Sequence, residues 1–298
     1  MTHNSTSLFQ DSRLVVVIDG APTDVGAAAW TAEIARKAHA AVDLVYALPA
    51  TEWSSAMAAS LDTSDYPSQL RLRGERRLAE ALTAMREIDA DIEVESKMVE
   101  LPSAKMAQSV SDNASLMIFG AEESGPLRDI VFGHATTTVV KAAKCPTLVW
   151  RPRVAEAPVG ELPIVVGVDG SDPAKRALAV AFDLAHTLGL GLMAVHIGAV
   201  HETGMWDYGP VLDWQHLREA ERKWLQDIVD PYRDDYPSVP VQVLSTGASA
   251  ARGLRDLSTD AEVLVVGSRG RGRLSAAVLG SVSQNLIHHA DCPVLVVH

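Results

Sequence analysis

Short apolar runs alternate with longer segments of helical periodicity along the 298 residues of this chain. Runs such as Leu14–Ile18 and Val263–Val266 are continuous and end at Asp-Gly or Gly, which is typical of strands buried on both faces. Segments such as Val211–Val229 have apolar residues at i, i+3 and i+4 spacing. Strands that alternate with helices predict an α/β fold with a parallel, doubly wound sheet.

The same order of predicted strands and helices occurs twice along the chain. A shift of 150 residues places Leu14–Gly20 on Ile164–Gly170, and a later shift of 147 places Gly120 on Gly267. Two copies are too few for a solenoid, which needs at least three stacked repeats. We therefore predict two tandem domains, each with a five-stranded parallel sheet flanked by helices.

The limits of the two copies predict the domain organisation. It comprises a flexible N-terminus (1–12), a first domain (13–150), a linker (151–162) and a second domain (163–298). The linker contains Pro152 and Pro158, and proline stiffens such connections.

A glycine-rich stretch of the second copy lies between a predicted strand and a predicted helix. It reads Gly267-Ser268-Arg269-Gly270, then nine residues, then Gly280-Ser281. Glycine lets the backbone approach a ligand closely, and free N–H groups in such a loop can bind phosphate oxygens. The following helix N-terminus favours anions, and ligands of parallel sheets bind at the carboxyl ends of the strands.

The spacing of these glycines is also compatible with a solvated loop that binds no ligand. The stretch is not a P-loop, because it lacks the Gly-Lys-Ser/Thr ending, and its glycines are too far apart for the dinucleotide fingerprint.

The pattern Gly267-x-x-Gly270-x9-Gly280-Ser281, followed by Cys292–Val297, resembles the nucleotide-binding signature of the universal stress protein family. The resemblance covers nearly the whole chain. It implies a Rossmann-like α/β sandwich of the adenine nucleotide alpha hydrolase type, in which the last strands of two domains pair. It also implies that Asp169 meets the adenosine end of a nucleotide and that Val195 packs against adenine.

From the motif and the resemblance together we predict one nucleotide site in the second domain. Its residues are Asp169, Val195, Val266, Gly267, Arg269, Gly270, Gly280, Ser281 and Val282. The predicted ligand is ATP, with AMP and ADP as alternatives, and Mg²⁺ would enter only with the nucleotide. The sequence shows no separate metal-binding motif and no pair of catalytic residues.

The first copy departs from this pattern. It keeps Asp19, Gly120 and Gly133, which would form a weak second site. At the positions of Arg269, Gly270 and Ser281, however, it has Glu122, Glu123 and His134. Carboxylates repel phosphates, so we expect the first domain to bind ATP weakly or not at all.

Charge and composition restrict the function further. The net charge of −12 argues against a nucleic-acid surface, which would need a basic stripe. No apolar run is long enough to cross a membrane, and the polar stretch Met1–Arg13 does not read as a signal peptide. Two cysteines, Cys145 and Cys292, exclude a disulfide framework and are expected to be buried. These features predict a cytoplasmic protein.

The sequence therefore predicts an ATP-binding protein of stress response or signalling, forming a homodimer of tandem chains and acting on protein partners that the sequence does not identify. A weak ATPase or phosphotransferase on the same fold is one alternative. A nucleotide-independent interaction module is the other.

Overall fold

The computed structural model describes residues 7–48, 66–121, 133–153, 160–198, 214–247, 249–271 and 279–298. The chain divides into two compact units. The N-terminal unit is Asp11–Cys145, and the C-terminal unit is Pro146–His298 together with the residues up to Gln10. The last strand of the first copy thus belongs to the C-terminal unit. The domain limits that we drew from the repeat remain a prediction.

The N-terminal unit alternates strands and helices. In order, its elements are β1 (Arg13–Ile18), α1 (Asp24–Ala38), β2 (Ala41–Leu48), α2 (Tyr66–Ile88), β3 (Val94–Glu100), α3 (Ser103–Ser111), β4 (Leu116–Gly120) and α4 (Gly133–Ala142). The sheet order is β3-β2-β1-β4, and the three pairings are parallel. Strands β1 and β4 are almost fully buried because helices cover both faces of a doubly wound sheet.

The C-terminal unit repeats this plan with one addition. Its elements are β5 (Thr147–Trp150), β6 (Ile164–Gly167), α5 (Asp172–Leu188), β7 (Leu192–Gly198), α6 (Trp214–Asp235), β8 (Val241–Gly247), α7 (Ala250–Ser258), β9 (Val263–Gly267), α8 (Ser281–His289) and β10 (Val294–Val297). The strand order is β5-β10-β9-β6-β7-β8.

Strand β5 is antiparallel in an otherwise parallel arrangement. Val149 lies opposite Val294, and Leu148 lies opposite Leu295. The pairings within β10-β9-β6-β7-β8 are parallel. The α/β fold with a mostly parallel sheet and flanking helices is therefore confirmed, and so is the expected pairing of the last strands of the two copies.

Local interactions set the start of one helix and the end of another. Helix α5 begins at Asp172 because Ser171 is its N-cap, with the Ser171 hydroxyl accepting the N–H of Ala174 at 3.3 Å. Helix α6 continues through Pro231 to Asp235. Tyr232 in its last turn and Tyr236 directly after it stack on Phe182, so tertiary packing outweighs the hydrogen bond that proline removes. Among the described residues, no helix combines the length and apolarity that crossing a membrane requires.

Candidate functional site

A cavity of about 290 Å³ lies at the carboxyl ends of β6, β7 and β9 in the C-terminal unit. It is lined by every residue predicted for the nucleotide site: Asp169, Val195, Val266, Gly267, Arg269, Gly270, Gly280, Ser281 and Val282. These residues come from four separate stretches of the chain. The parallel sheet brings them together because the carboxyl ends of its strands share one edge.

Glycine is required by packing at two positions of the loop. A Cβ atom at Gly267 would lie 2.8 Å from the backbone carbon of Pro173, so only glycine allows the end of β9 to meet the start of α5. A Cβ atom at Gly270 would lie 2.6 Å from Oδ2 of Asp169. The loop therefore lies directly against the Asp169 carboxylate, and any larger residue at 270 would displace one of them.

Asp169 joins two parts of the chain that are far apart in sequence. Its Oδ1 accepts the backbone N–H of Ser171 at 2.9 Å and the Ser171 hydroxyl at 2.6 Å. Its Oδ2 accepts the backbone N–H of Arg271 at 3.1 Å, across 102 residues. Asp169 thus holds the β6–α5 turn and the glycine loop in place, in addition to lining the cavity.

The first turn of α8 opens into the cavity. Its N-cap is Gly280, and Ser281 is the first residue of the helix. Ser281, Val282 and Ser283 line the cavity, and no described side chain caps the helix. The Ser283 hydroxyl lies 3.1 Å from the Ser268 carbonyl oxygen and 3.0 Å from that of Gly280. The unpaired N–H groups of such a helix start are suited to an anion.

Several residues that line or border this cavity are not predicted from the sequence. His196 lines the cavity, and its Nδ1 donates to the Val168 carbonyl oxygen at 2.7 Å. The His196 ring meets the Trp224 ring edge-on at 4.7 Å, and the Arg271 guanidinium lies 5.4 Å from the centre of the Trp224 ring. Trp224 fits the apolar spacing of α6, so it reads as an ordinary core residue. The side chains of Ala250 and Leu254 on α7 complete the apolar wall and have no sequence signal of their own.

Three residues of the predicted weak second site lie in the described part of the N-terminal unit. Asp19 follows β1 and accepts the Ala21 N–H at 3.0 Å, while Gly120 lies so close to Thr23 that a Cβ atom there would overlap its hydroxyl. Gly133 begins α4.

Other residues that distinguish the first copy cannot be placed. Glu122 and Glu123 lie outside the described residues, as does the His134 side chain.

Known proteins of one family match this chain over nearly its whole length. A family model described as the Universal stress protein family matches residues 12–151 and again residues 162–298. The chain belongs to the universal stress protein family. It is 30% identical over 291 residues to Universal stress protein Rv2005c of Mycobacterium tuberculosis, covering 95% of this chain and 96% of that protein. Universal stress protein Rv2623 of the same species is 27% identical, with 95% of each chain covered.

The fold of this family member is also found in solved structures. The crystal structure of a universal stress protein from Archaeoglobus fulgidus matches with a TM-score of 0.70, covering 97% of each chain at 17% identity. At this identity the likeness supports the tandem fold alone.

Proposed function

We propose that the C-terminal unit of this universal stress protein binds an adenine nucleotide, with ATP as the ligand. The observation that carries the proposal is the convergence of nine residues, chosen from the motif and family resemblance, on one cavity. Its volume of about 290 Å³ is just below the roughly 300–1,000 Å³ that is typical of small-molecule sites.

The two sides of the cavity differ in the chemistry they offer. Arg269, Arg271 and the first turn of α8 provide positive charge and N–H groups for phosphates. Asp169 provides a carboxylate that accepts hydrogen bonds from ribose hydroxyls or an adenine amino group. Val195 and Leu254 provide an apolar wall for the base. This division matches a molecule with an apolar base at one end and anionic groups at the other.

In this proposal the bound nucleotide sets the conformation or the choice of partner in a stress response. If ATP binds one conformation of the protein more tightly than another, it shifts the population toward the first. The difference in affinity sets the size of this shift. The first experiment is to extract the purified protein with acid and identify any nucleotide released.

A substitution tests the position of the site. Gly270→Glu places a side chain against Asp169 and adds a negative charge beside the expected phosphates. We expect at least a tenfold loss of ATP affinity, which is about 1.4 kcal/mol, measured by calorimetry. Gln242→Glu is the matched control, because it adds the same charge on the exposed edge strand β8. Unchanged ATP affinity in Gly270→Glu would contradict the assignment.

A further inference from the structure

We propose that Trp224 is a positioning residue that holds the Arg271 guanidinium beside the cavity, where it binds the phosphate groups of the ligand. The inference rests on the proposed function and extends it. According to this inference, the side chains of Trp224 and Arg271 make the site prefer a phosphorylated nucleoside to a nucleoside.

Arg271 is held at two points. Its backbone N–H donates to Asp169 at 3.1 Å, and its guanidinium lies over the Trp224 ring at 5.4 Å from the centroid. Arg271 also lines the cavity. No carboxylate among the described residues forms an ion pair with its guanidinium. The guanidinium is therefore placed beside the cavity without an ion pair to that part of the chain.

Trp224 is itself fixed by its neighbours. Its ring meets His196 edge-on at 4.7 Å, and His196 is oriented by the Val168 carbonyl oxygen. Gly170, with φ of 82°, makes room for this arrangement. A Cβ atom at Gly170 would lie 2.8 Å from the Trp224 ring and 3.3 Å from the Arg271 guanidinium. The turn after β6 is thus shaped to admit the tryptophan–arginine pair.

The chemistry of a guanidinium that lies over an aromatic ring explains its use here. Stacking uses the flat face of the group and leaves its N–H edge available to phosphate oxygens. An arginine that is already ordered loses less side-chain freedom when the ligand binds. Removing the indole should therefore weaken ligands that reach Arg271 with a phosphate, and should leave the nucleoside portion unaffected.

The first copy does not carry this pair at the equivalent positions of its sequence. A shift of 150 places Tyr46 on His196, and Gly74 of α2 packs so closely on the Tyr46 ring that a Cβ atom there would lie 2.7 Å away. Helix α2 contains no tryptophan, and a shift of 147 places Ser124 on Arg271. The pair thus belongs to the copy that carries the complete glycine motif, as a role in phosphate recognition requires.

The test compares adenosine, AMP, ADP and ATP as ligands of the full chain by calorimetry. We expect Trp224→Ala and Arg271→Gln each to weaken ATP at least fivefold while changing adenosine affinity less than twofold. Trp224→Phe keeps an aromatic face and should keep ATP affinity within about twofold. Because the two residues act as a unit, the double variant should be no weaker than Arg271→Gln alone.

The outcomes separate this inference from the proposed function. Full ATP affinity in Trp224→Ala, additive losses in the double variant, or an equal loss of adenosine and ATP would each overturn the role of Trp224. All three leave nucleotide binding by the cavity intact. If the unmutated protein binds none of the four ligands, the proposed function falls, and this inference falls with it. Adenosine binding in each variant shows that the site is folded.

Discussion

A buried carboxyl group distinguishes the start of α1 from the start of α5. A shift of 150 places Asp24 on Ala174, which lines the cavity of the C-terminal unit. Asp24 is 2% exposed, and its Oδ2 accepts the Gly20 N–H at 2.8 Å. Its Oδ1 has no hydrogen-bond partner among the described residues. Burial, together with the charge of Asp19, raises the pKa of Asp24 to about 7.

This pKa predicts a pH-dependent stability. Between about pH 4 and pH 7 the native protein keeps a proton on Asp24 that the unfolded chain has lost. The free energy of unfolding therefore falls as pH rises through this window. Asp24→Asn still accepts the Gly20 N–H but does not ionise. Its gain in stability over the unmutated protein should be larger at pH 8 than at pH 5, by about 1–3 kcal/mol.

Thermal unfolding of the full chain at the two pH values measures this difference. Asp91→Asn, an exposed position of the same unit, serves as the control and should show no such change. A stability gain for Asp24→Asn that is equal at pH 5 and pH 8 would contradict the prediction.

Sequence reasoning succeeds for the two cysteines. Cys145 and Cys292 are buried, as expected, and burial raises the pKa of both thiols to about 12. Both remain protonated at neutral pH, which makes them poor nucleophiles.

Between β5 and β6, a single carboxylate binds both ends of the connection. Oε2 of Glu262 lies 3.2 Å from the Arg153 guanidinium and accepts the Gly160 N–H at 3.1 Å. Glu262 is 3% exposed and directly precedes β9. Removing one charge of a buried ion pair is costly because the pair's attraction is lost in a setting that water does not reach.

Limited proteolysis tests both this contact and the predicted linker. We expect the first cleavage of the unmutated chain to fall within residues 151–162. Glu262→Gln should speed that cleavage several-fold and lower stability by about 1–3 kcal/mol, because Arg153 loses its ion pair. Glu161→Gln, exposed in the same linker, is the matched control. A first cut inside either sheet would contradict the domain limits, and equal rates for both variants would remove the role of Glu262.

Considered as a whole, the molecule has two similar units with unequal candidate sites. The C-terminal copy has Arg269 and Gly270 where the N-terminal copy has Glu122 and Glu123. Like charges about 4 Å apart repel by about 1 kcal/mol in water and by more when partly buried. The buried Asp24 adds a carboxyl group to the region that already contains Asp19. These features all disfavour a triphosphate in the N-terminal unit.

We therefore expect one ATP per chain in a calorimetric titration. The Gly270→Glu variant weakens the C-terminal site in the same chain, so that binding by the N-terminal unit can be measured against it. In that variant the residual affinity should fall from adenosine to AMP to ATP, since each phosphate adds repulsion. Two equivalent ATP molecules per unmutated chain would show that the charge reversal has little effect.

Self-association of whole chains, cytoplasmic location and unidentified protein partners remain predictions. Pairing of β5 with β10 occupies one edge of each of these two strands within a single chain. A homodimer of tandem chains would therefore use other surfaces than this pair of edges.

The sequence by itself determines the α/β class, the duplication and the nine residues that line the cavity. The class and the duplication follow from hydrophobic periodicity and from the repeat, which depend on residues close together in the chain. The nine residues follow from the glycine motif together with the family resemblance, which implies Asp169 and Val195. The tertiary structure alone decides the hydrogen bond from the Arg271 N–H to Asp169, the position of the Arg271 guanidinium over the Trp224 ring and the double contact of Glu262. Each joins residues that are far apart in the sequence. Only packing selects such pairs among the many that the same local patterns would permit.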